Sequence, residues 1–336
     1  MRQETTLSPA DEREIAPAAP DENGAHRGSA LGKMLFLGLG VAAGAGVALA
    51  VYRKPLETAL LLKRLKLYAL GVRSRESFVA GARVRYWIGG DWSPTAIVLV
   101  HGPFEASETW HAILPRVAKS FRVIAPDLPG FGRSNDPVNP SVAHCAKVLG
   151  ALLTEQGVET AILVGSSLGA LVAIETALMQ PKLVRGLVLE DVLGFGGVLP
   201  ERQLLVHGGQ ADVDEMLRKT FWQPPSIPAF VREEIAIRSQ RPSVDLLLSD
   251  VEDGGRALAT RASEISVPTL LLWGDSDGLA PIEAGESLNA LISGSRLVEL
   301  PCCGHLPHIE DPDAFYGELM DFLAGPAPEI QETYEI

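Results

Sequence analysis

The chain has 336 residues, 46% of them hydrophobic, enough for one core of about 250 residues with an appendage. Its formal net charge of −13, with no strongly basic run, excludes a phosphate-neutralising nucleic-acid partner. Three cysteines, Cys145, Cys302 and Cys303, give neither a disulfide framework nor metal-ligand spacing, and are expected as buried small hydrophobes.

Residues 1–30 are rich in Ala, Pro, Glu and Asp and bury too little to offset ordering entropy, so a disordered tail is expected. Met34 to Tyr52 follows without a charge, bounded by Lys33 and by Arg53 and Lys54. As a helix it would cover about 28 Å, close to the hydrocarbon thickness. Residues 31–53 are therefore expected as a single-pass membrane anchor. A cleaved signal ending near Ala48-Leu49-Ala50 and a buried helix are the alternatives. Gly40 and Gly44 form a small-residue face through which two spans could weakly dimerise. Basic residues concentrate downstream, at Arg53, Lys54, Lys63, Arg64 and Lys66, which places the following domain in the cytoplasm. Residues 54–75 are basic and leucine-rich. Leu56 to Val72 is expected as an amphipathic helix, stopped at Gly71, lying on an anionic bilayer or packed against the domain.

From about residue 76 short apolar runs alternate with helical stretches, the pattern of a mostly parallel sheet covered on both faces. Phe78 to Gly89 reads as a strand pair turning at Ala80-Gly81. The buried-strand runs are Ala96 to Val100, Phe121 to Pro126, Ala161 to Val164, Gly186 to Leu189, Thr269 to Trp273 and Arg296 to Leu300. Helices are expected near 107–119, 141–156, 168–180, 282–292 and 312–324. The core thus comprises 76–192 and 267–325. Residues 193–266 lack a strong strand and read as a helical cap, and 326–336 form an acidic tail.

Gly165-Ser166-Ser167-Leu168-Gly169 fits G-x-S-x-G between an apolar strand and a helix. Glycines two before and two after Ser167 permit the tight turn that would expose its hydroxyl. A serine needs a base oriented by an acid to act as a nucleophile at neutral pH. Gly304-His305 after the last strand supplies the base, and Asp277 at the end of Trp273–Asp277 the acid. Asp275 and Asp191 are rival acids. His308 reads as structural, and His101 borders the site. Oxyanion donors are expected from the Leu168 N–H at a helix start and, since Pro103 has no N–H, from Phe104. No cofactor or metal is called for.

With His101-Gly102, Asp127-Leu128-Pro129-Gly130-Phe131-Gly132-Arg133-Ser134, the elbow at Ser167, Trp273–Asp277 and Gly304-His305 in this order, the sequence resembles the α/β-hydrolase superfamily over residues 76–325. That resemblance implies an α/β-hydrolase fold with an eight-stranded sheet and a lid after the sixth strand, and it favours Asp277 over Asp275. The span, basic linker and cap together are similar to membrane-anchored monoacylglycerol lipases and their bacterial relatives. Pro103 departs from the pattern. Ser167 stands where epoxide hydrolases and haloalkane dehalogenases carry an aspartate, and the glycine-rich oxyanion loop of carbon–carbon-bond hydrolases is absent. The expected activity is hydrolysis of carboxylic esters, with a small-molecule ester or lipid as substrate. Acyl transfer or cofactor-free perhydrolysis by the same triad, and a non-catalytic binding protein, are the alternatives.

Overall fold

The computed structural model describes residues 53–135, 140–197, 199–201, 208–240 and 242–325. The chain divides into units 1–53 and 54–336, and the strands and helices named here all belong to the second. It opens with α1 (Pro55–Ala69) and continues with β1 (Arg73–Val79), β2 (Ala82–Gly89), β3 (Thr95–Val100), the short α2 (Leu114–Val117) and β4 (Arg122–Pro126). Then come α3 (Val142–Glu155), β5 (Thr160–Ser166), α4 (Leu168–Met179) and β6 (Val184–Glu190). Between β6 and β7 lie α5 (Gln210–Thr220), α6 (Ala229–Ser239) and α7 (Pro242–Arg261). The chain closes with β7 (Thr269–Gly274), α8 (Ile282–Leu291), β8 (Arg296–Leu300), α9 (Pro307–Glu310) and α10 (Pro312–Ala324).

The eight strands form one sheet in the order β1-β2-β4-β3-β5-β6-β7-β8. β2 is antiparallel to β1 and β4, and the other neighbours run parallel. Ala80 (φ 47°) and Gly81 (φ 80°) turn the first hairpin; two successive left-handed residues match the strand twist there. In the central strands successive side chains enter opposite cores. Val98 and Leu163 belong to one face with α3 and α4, while Leu99 and Val164 belong to the other with Trp110 and Phe315. Burial on both sides explains why these runs are continuously apolar rather than alternating. Each such side chain contributes about 1.5–3 kcal/mol by leaving water.

The structure departs from the expectations in a few places. Residues 107–119 are not one helix but a 3-10 turn at Ser107–His111 followed by α2. Pro115 lies in the first turn of α2, where its missing N–H is harmless, whereas inside a continuous helix it would remove a hydrogen bond. β1 begins at Arg73, before the expected start of the core, and Cys302 is exposed while Cys145 and Cys303 are buried.

The larger correction concerns the membrane. Among the described residues no helix is long and apolar enough to cross a bilayer, which overturns the expectation of a single-pass anchored protein with a cytoplasmic domain. α1 cannot serve. Its 15 residues span only about 22 Å and carry Lys63, Arg64 and Lys66. The stretch 34–52 that prompted the expectation, with Gly40 and Gly44, lies outside the described residues, as do the terminal segments 1–30 and 326–336. α1 instead packs on the domain. Leu67 is fully buried, and Arg64 Nε donates to the buried Glu108 at 2.6 Å.

Candidate active site

The functional side chains gather at the C-terminal ends of the parallel strands, where a doubly wound sheet leaves a crevice. Ser167 follows β5 directly, at φ 56° and ψ −117°. This strained turn persists because its surroundings exclude any other packing. A Cβ on Gly165 would fall 2.4 Å from the Gly169 carbonyl oxygen, and one on Gly169 would fall 2.2 Å from the Val100 carbonyl oxygen. Both contacts are with backbone, so only glycine fits either position. The Ser167 N–H donates to the Glu190 carbonyl at 2.8 Å, which ties the turn to the end of β6.

Ser167 Oγ lies 2.8 Å from His305 Nε2, and His305 Nδ1 lies 2.7 Å from Asp277 Oδ2. The other carboxylate oxygen of Asp277 accepts the N–H groups of Leu279 (2.7 Å) and Ala280 (3.1 Å), which fix its orientation. The His305 N–H donates to the Thr220 carbonyl at 2.7 Å, anchoring the histidine loop to the end of α5. Burial works to lower the His305 pKa. The adjoining Asp277 carboxylate, helped by Glu190 and Glu105, outweighs it and raises the pKa above the ordinary histidine value. With Nδ1–H directed at Asp277, a neutral His305 presents a bare Nε2 to the serine proton. Such an arrangement can generate an alkoxide-like nucleophile and return the proton to a leaving group.

The rival acids are placed differently. Asp275 is exposed and bonds Ser276 Oγ at 2.8 Å. Asp191 is fully buried after β6 with φ 45°; its Oδ1 accepts the Gly274 N–H at 3.0 Å and its Oδ2 has no hydrogen-bond partner. Burial first, then the Asp277 and Glu190 carboxylates, push its pKa well above the ordinary carboxylate value. One ligand-type atom from each of Asp191, Asp277 and His305 falls within 4.8 Å of the others. Both His305 nitrogens are already engaged, by Ser167 and Asp277, so none is left over for a cation.

His101 is held as a neutral ring. Its Nε2 accepts the Leu128 N–H at 2.9 Å, so Nδ1 carries the proton and donates to the Gly102 carbonyl at 2.7 Å. It ties the loop after β3 to the 127–134 run. That run is itself a folded turn. Asp127 Oδ1 accepts the Ser107 N–H at 2.9 Å and the Ser107 hydroxyl, while Oδ2 accepts the Arg133 N–H at 2.9 Å. Pro103 and Phe104 (φ 63°) form a turn of type II character, with proline before the left-handed residue. Leu168 opens α4, where the N–H has no partner within the helix.

Ser167 and His305 border a cavity of about 730 Å³. Leu193, Met216, Leu217 and Leu279 line it from the core and the helical insertion, and Phe104 and Phe131 from the loops. One wall is α1, through Leu56, Leu60, Lys63 and Arg64. Sequence reasoning misses this wall, because nothing in a leucine- and lysine-rich segment says which surface it covers. It also misses Glu105, Thr109 and Glu190, which join His308 in a buried polar chain.

A family model described as the alpha/beta hydrolase family matches residues 97–318. The pimeloyl-(acyl-carrier protein) methyl ester esterase of Pectobacterium carotovorum is 29% identical over 257 residues, covering 70% of this chain and 97% of that protein. Lipase 1 of Psychrobacter immobilis is 26% identical over 253 residues, covering 70% of this chain and 79% of that protein. The crystal structure of a membrane phospholipase A, described as a bacterial virulence factor, superposes with a TM-score of 0.70. Identity there is 25%, with 86% of this chain and 97% of that chain covered.

Proposed function

The chain belongs to the alpha/beta hydrolase family, and we propose that it hydrolyses carboxylic esters of apolar acyl groups through an acyl-enzyme on Ser167. The observation that carries this reading is the unbroken run of hydrogen bonds from Ser167 through His305 to Asp277 beside the apolar cavity. The esterase and lipase named among the relatives support the ester-hydrolase class.

In the first half-reaction Ser167 Oγ attacks the ester carbonyl while His305 Nε2 takes its proton. Asp277 holds the Nδ1–H tautomer and stabilises the imidazolium. The tetrahedral oxyanion is met by the Leu168 N–H, which the α4 dipole reinforces, with Phe104 as the second donor. His305 then protonates the departing alcohol. In the second half-reaction it deprotonates water, which releases the acid and restores Ser167. The helices between β6 and β7 act as a cap, and the cavity they share with α1 receives the acyl chain. Its apolar lining favours lipid-like esters over small polar ones.

A fluorophosphonate probe, with p-nitrophenyl esters of increasing chain length, tests the proposal. Covalent labelling confined to Ser167, lost in Ser167→Ala, and a preference for chains longer than acetate are expected. A folded protein that neither labels nor hydrolyses any ester would refute it.

A further inference from the structure

Behind Ser167 lies a second histidine–carboxylate pair that the proposed hydrolysis does not use. Glu190 is fully buried at the end of β6, and its carbonyl accepts the Ser167 N–H. Its carboxylate grips His308 twice: Oε1 accepts the His308 backbone N–H at 2.7 Å, and Oε2 lies 2.7 Å from Nδ1. The ring packs 4.2 Å from Trp110, centroid to centroid, and edge-on to Phe315 at 6.1 Å, so it has no room to turn away. On its far side Nε2 lies 2.8 Å from Thr109 Oγ1. That hydroxyl donates to Glu105 Oε1 at 3.1 Å, and Glu105 Oε2 accepts the Gly102 N–H at 3.1 Å. Gly102 adjoins the nucleophile, since a Cβ there would be 3.2 Å from Ser167 Cβ. The polar chain therefore runs from beneath the elbow to the loop that would hold the oxyanion.

Counting protons along this chain gives it a direction. A threonine hydroxyl has one hydrogen, and an ionised carboxylate can only accept. A neutral His308 with Nδ1–H on Glu190 would have a bare Nε2, which competes for the Thr109 proton and takes it from Glu105. An imidazolium donates from both nitrogens; Thr109 then accepts from Nε2 and passes its own hydrogen to Glu105. Only the protonated ring satisfies every contact at once. We propose that His308 and Glu190 are a positioning pair which, through Thr109, holds Glu105 on the Gly102 N–H and sets the oxyanion loop for reaction at Ser167. The proposal rests on the ester-hydrolase reading, and neither residue touches substrate.

The charges facing His308 come from three elements. Burial lowers its pKa, Glu190 of β6 and Glu105 of the loop raise it, and Lys63 of α1 lowers it; the net shift is upward. The second ring proton that these hydrogen bonds require is therefore held to higher pH than on an ordinary histidine. Loss of that proton frees the Thr109 hydroxyl from Glu105.

The test compares Thr109→Val, which removes the hydroxyl at nearly constant shape, with Thr109→Ser, which restores it. Melting temperature, the fluorophosphonate labelling rate, and kcat and KM for p-nitrophenyl butyrate are measured across pH. In Thr109→Val, kcat is expected to fall about tenfold, a fraction of what losing an oxyanion donor costs, with KM within twofold. The alkaline limb of the kcat profile disappears, the acid limb set by His305 stays, and Thr109→Ser recovers both rate and limb. Glu105→Gln, at a partly exposed position, serves as a second variant should Thr109→Val fail to fold. A single amide oxygen cannot replace both carboxylate oxygens, so the same limb is lost. Wild-type kcat with an intact alkaline limb in both variants, or a loss that serine does not rescue, would overturn the positioning pair and leave the triad standing. A wild-type protein that neither labels nor turns over overturns the ester-hydrolase reading and the pair with it.

Discussion

Asp277→Asn discriminates the proposed triad from its nearest rival. The substitution keeps an oxygen able to accept from the Leu279 and Ala280 N–H groups, so the loop should hold its course. What changes is the group 2.7 Å from His305 Nδ1, where an amide N–H replaces a carboxylate oxygen. Nδ1 must then become an acceptor, which moves the ring proton to Nε2, and Nε2 turns from acceptor to donor toward Ser167 at 2.8 Å. The base is in the wrong tautomer, and its imidazolium has lost the adjacent charge. For the same change in a serine protease the loss is about 10⁴ in kcat, so a fall of about 10³–10⁴, or about 4–5.5 kcal/mol of barrier, is expected here. Stopped-flow hydrolysis of p-nitrophenyl butyrate measures it, with circular dichroism to establish that the fold is kept. A kcat within tenfold of wild type would refute the reasoning and direct attention to Asp191, whose unpartnered Oδ2 is buried beside the same histidine.

Across the His305 ionisation, catalysis and stability should respond to pH in opposite senses. Because the His305 pKa is raised, kcat/KM climbs through an ionisation above the ordinary histidine value of about 6.5. The His305 and His308 pairs with carboxylates, whose folded pKa values are both raised, stabilise the fold fully below about pH 6.5 and lose that contribution as pH rises through the folded values. Urea melts across pH 6–9 should show this decline; their two contributions rising with pH would contradict the direction of both shifts. Glu108→Ala leaves Arg64 and Arg133 facing a vacated buried site. A loss of about 3 kcal/mol by urea unfolding is expected, the lower end for a broken buried pair because each arginine keeps about a quarter of its side chain in solvent. Two glycine-to-alanine changes should differ in sign. Gly169→Ala drives a Cβ into the Val100 carbonyl and should leave the protein unfolded or markedly less stable, whereas Gly317→Ala, exposed in α10 with open space around it, should gain about 0.5–1 kcal/mol. Equal melting temperatures for the two would count against the packing argument.

What the sequence makes legible here is whatever depends on local pattern. β3, β5, β6 and β7 announce themselves because both of their faces are buried, leaving uninterrupted apolar runs. β1 does not, since its Arg73, Arg75 and Glu76 face solvent and its pattern is that of an edge strand. Ser167 is legible from the glycines that its turn requires. Spacing alone does not separate Asp277 from Asp275 and Asp191; the family resemblance favours it over Asp275, and its orientation toward His305 sets it apart from both. The chain from Glu190 to His308 to Thr109 is invisible for a related reason: its members are separated by 118 and 199 residues and meet only when the strand ends converge. An isolated His308 in the sequence offers no sign that a carboxylate waits on one side and a hydroxyl on the other.

α1 contributes a wall to the cavity, yet it precedes every strand and carries none of the groups assigned to the chemistry. It also lies before residue 97, where the match to the family begins. Exchanging Leu56 or Leu60 would alter the width of the cavity while the sheet, the elbow and the histidine loop kept their packing. Substrate preference can therefore diverge in this fold through an accessory segment, with the reactive centre held constant.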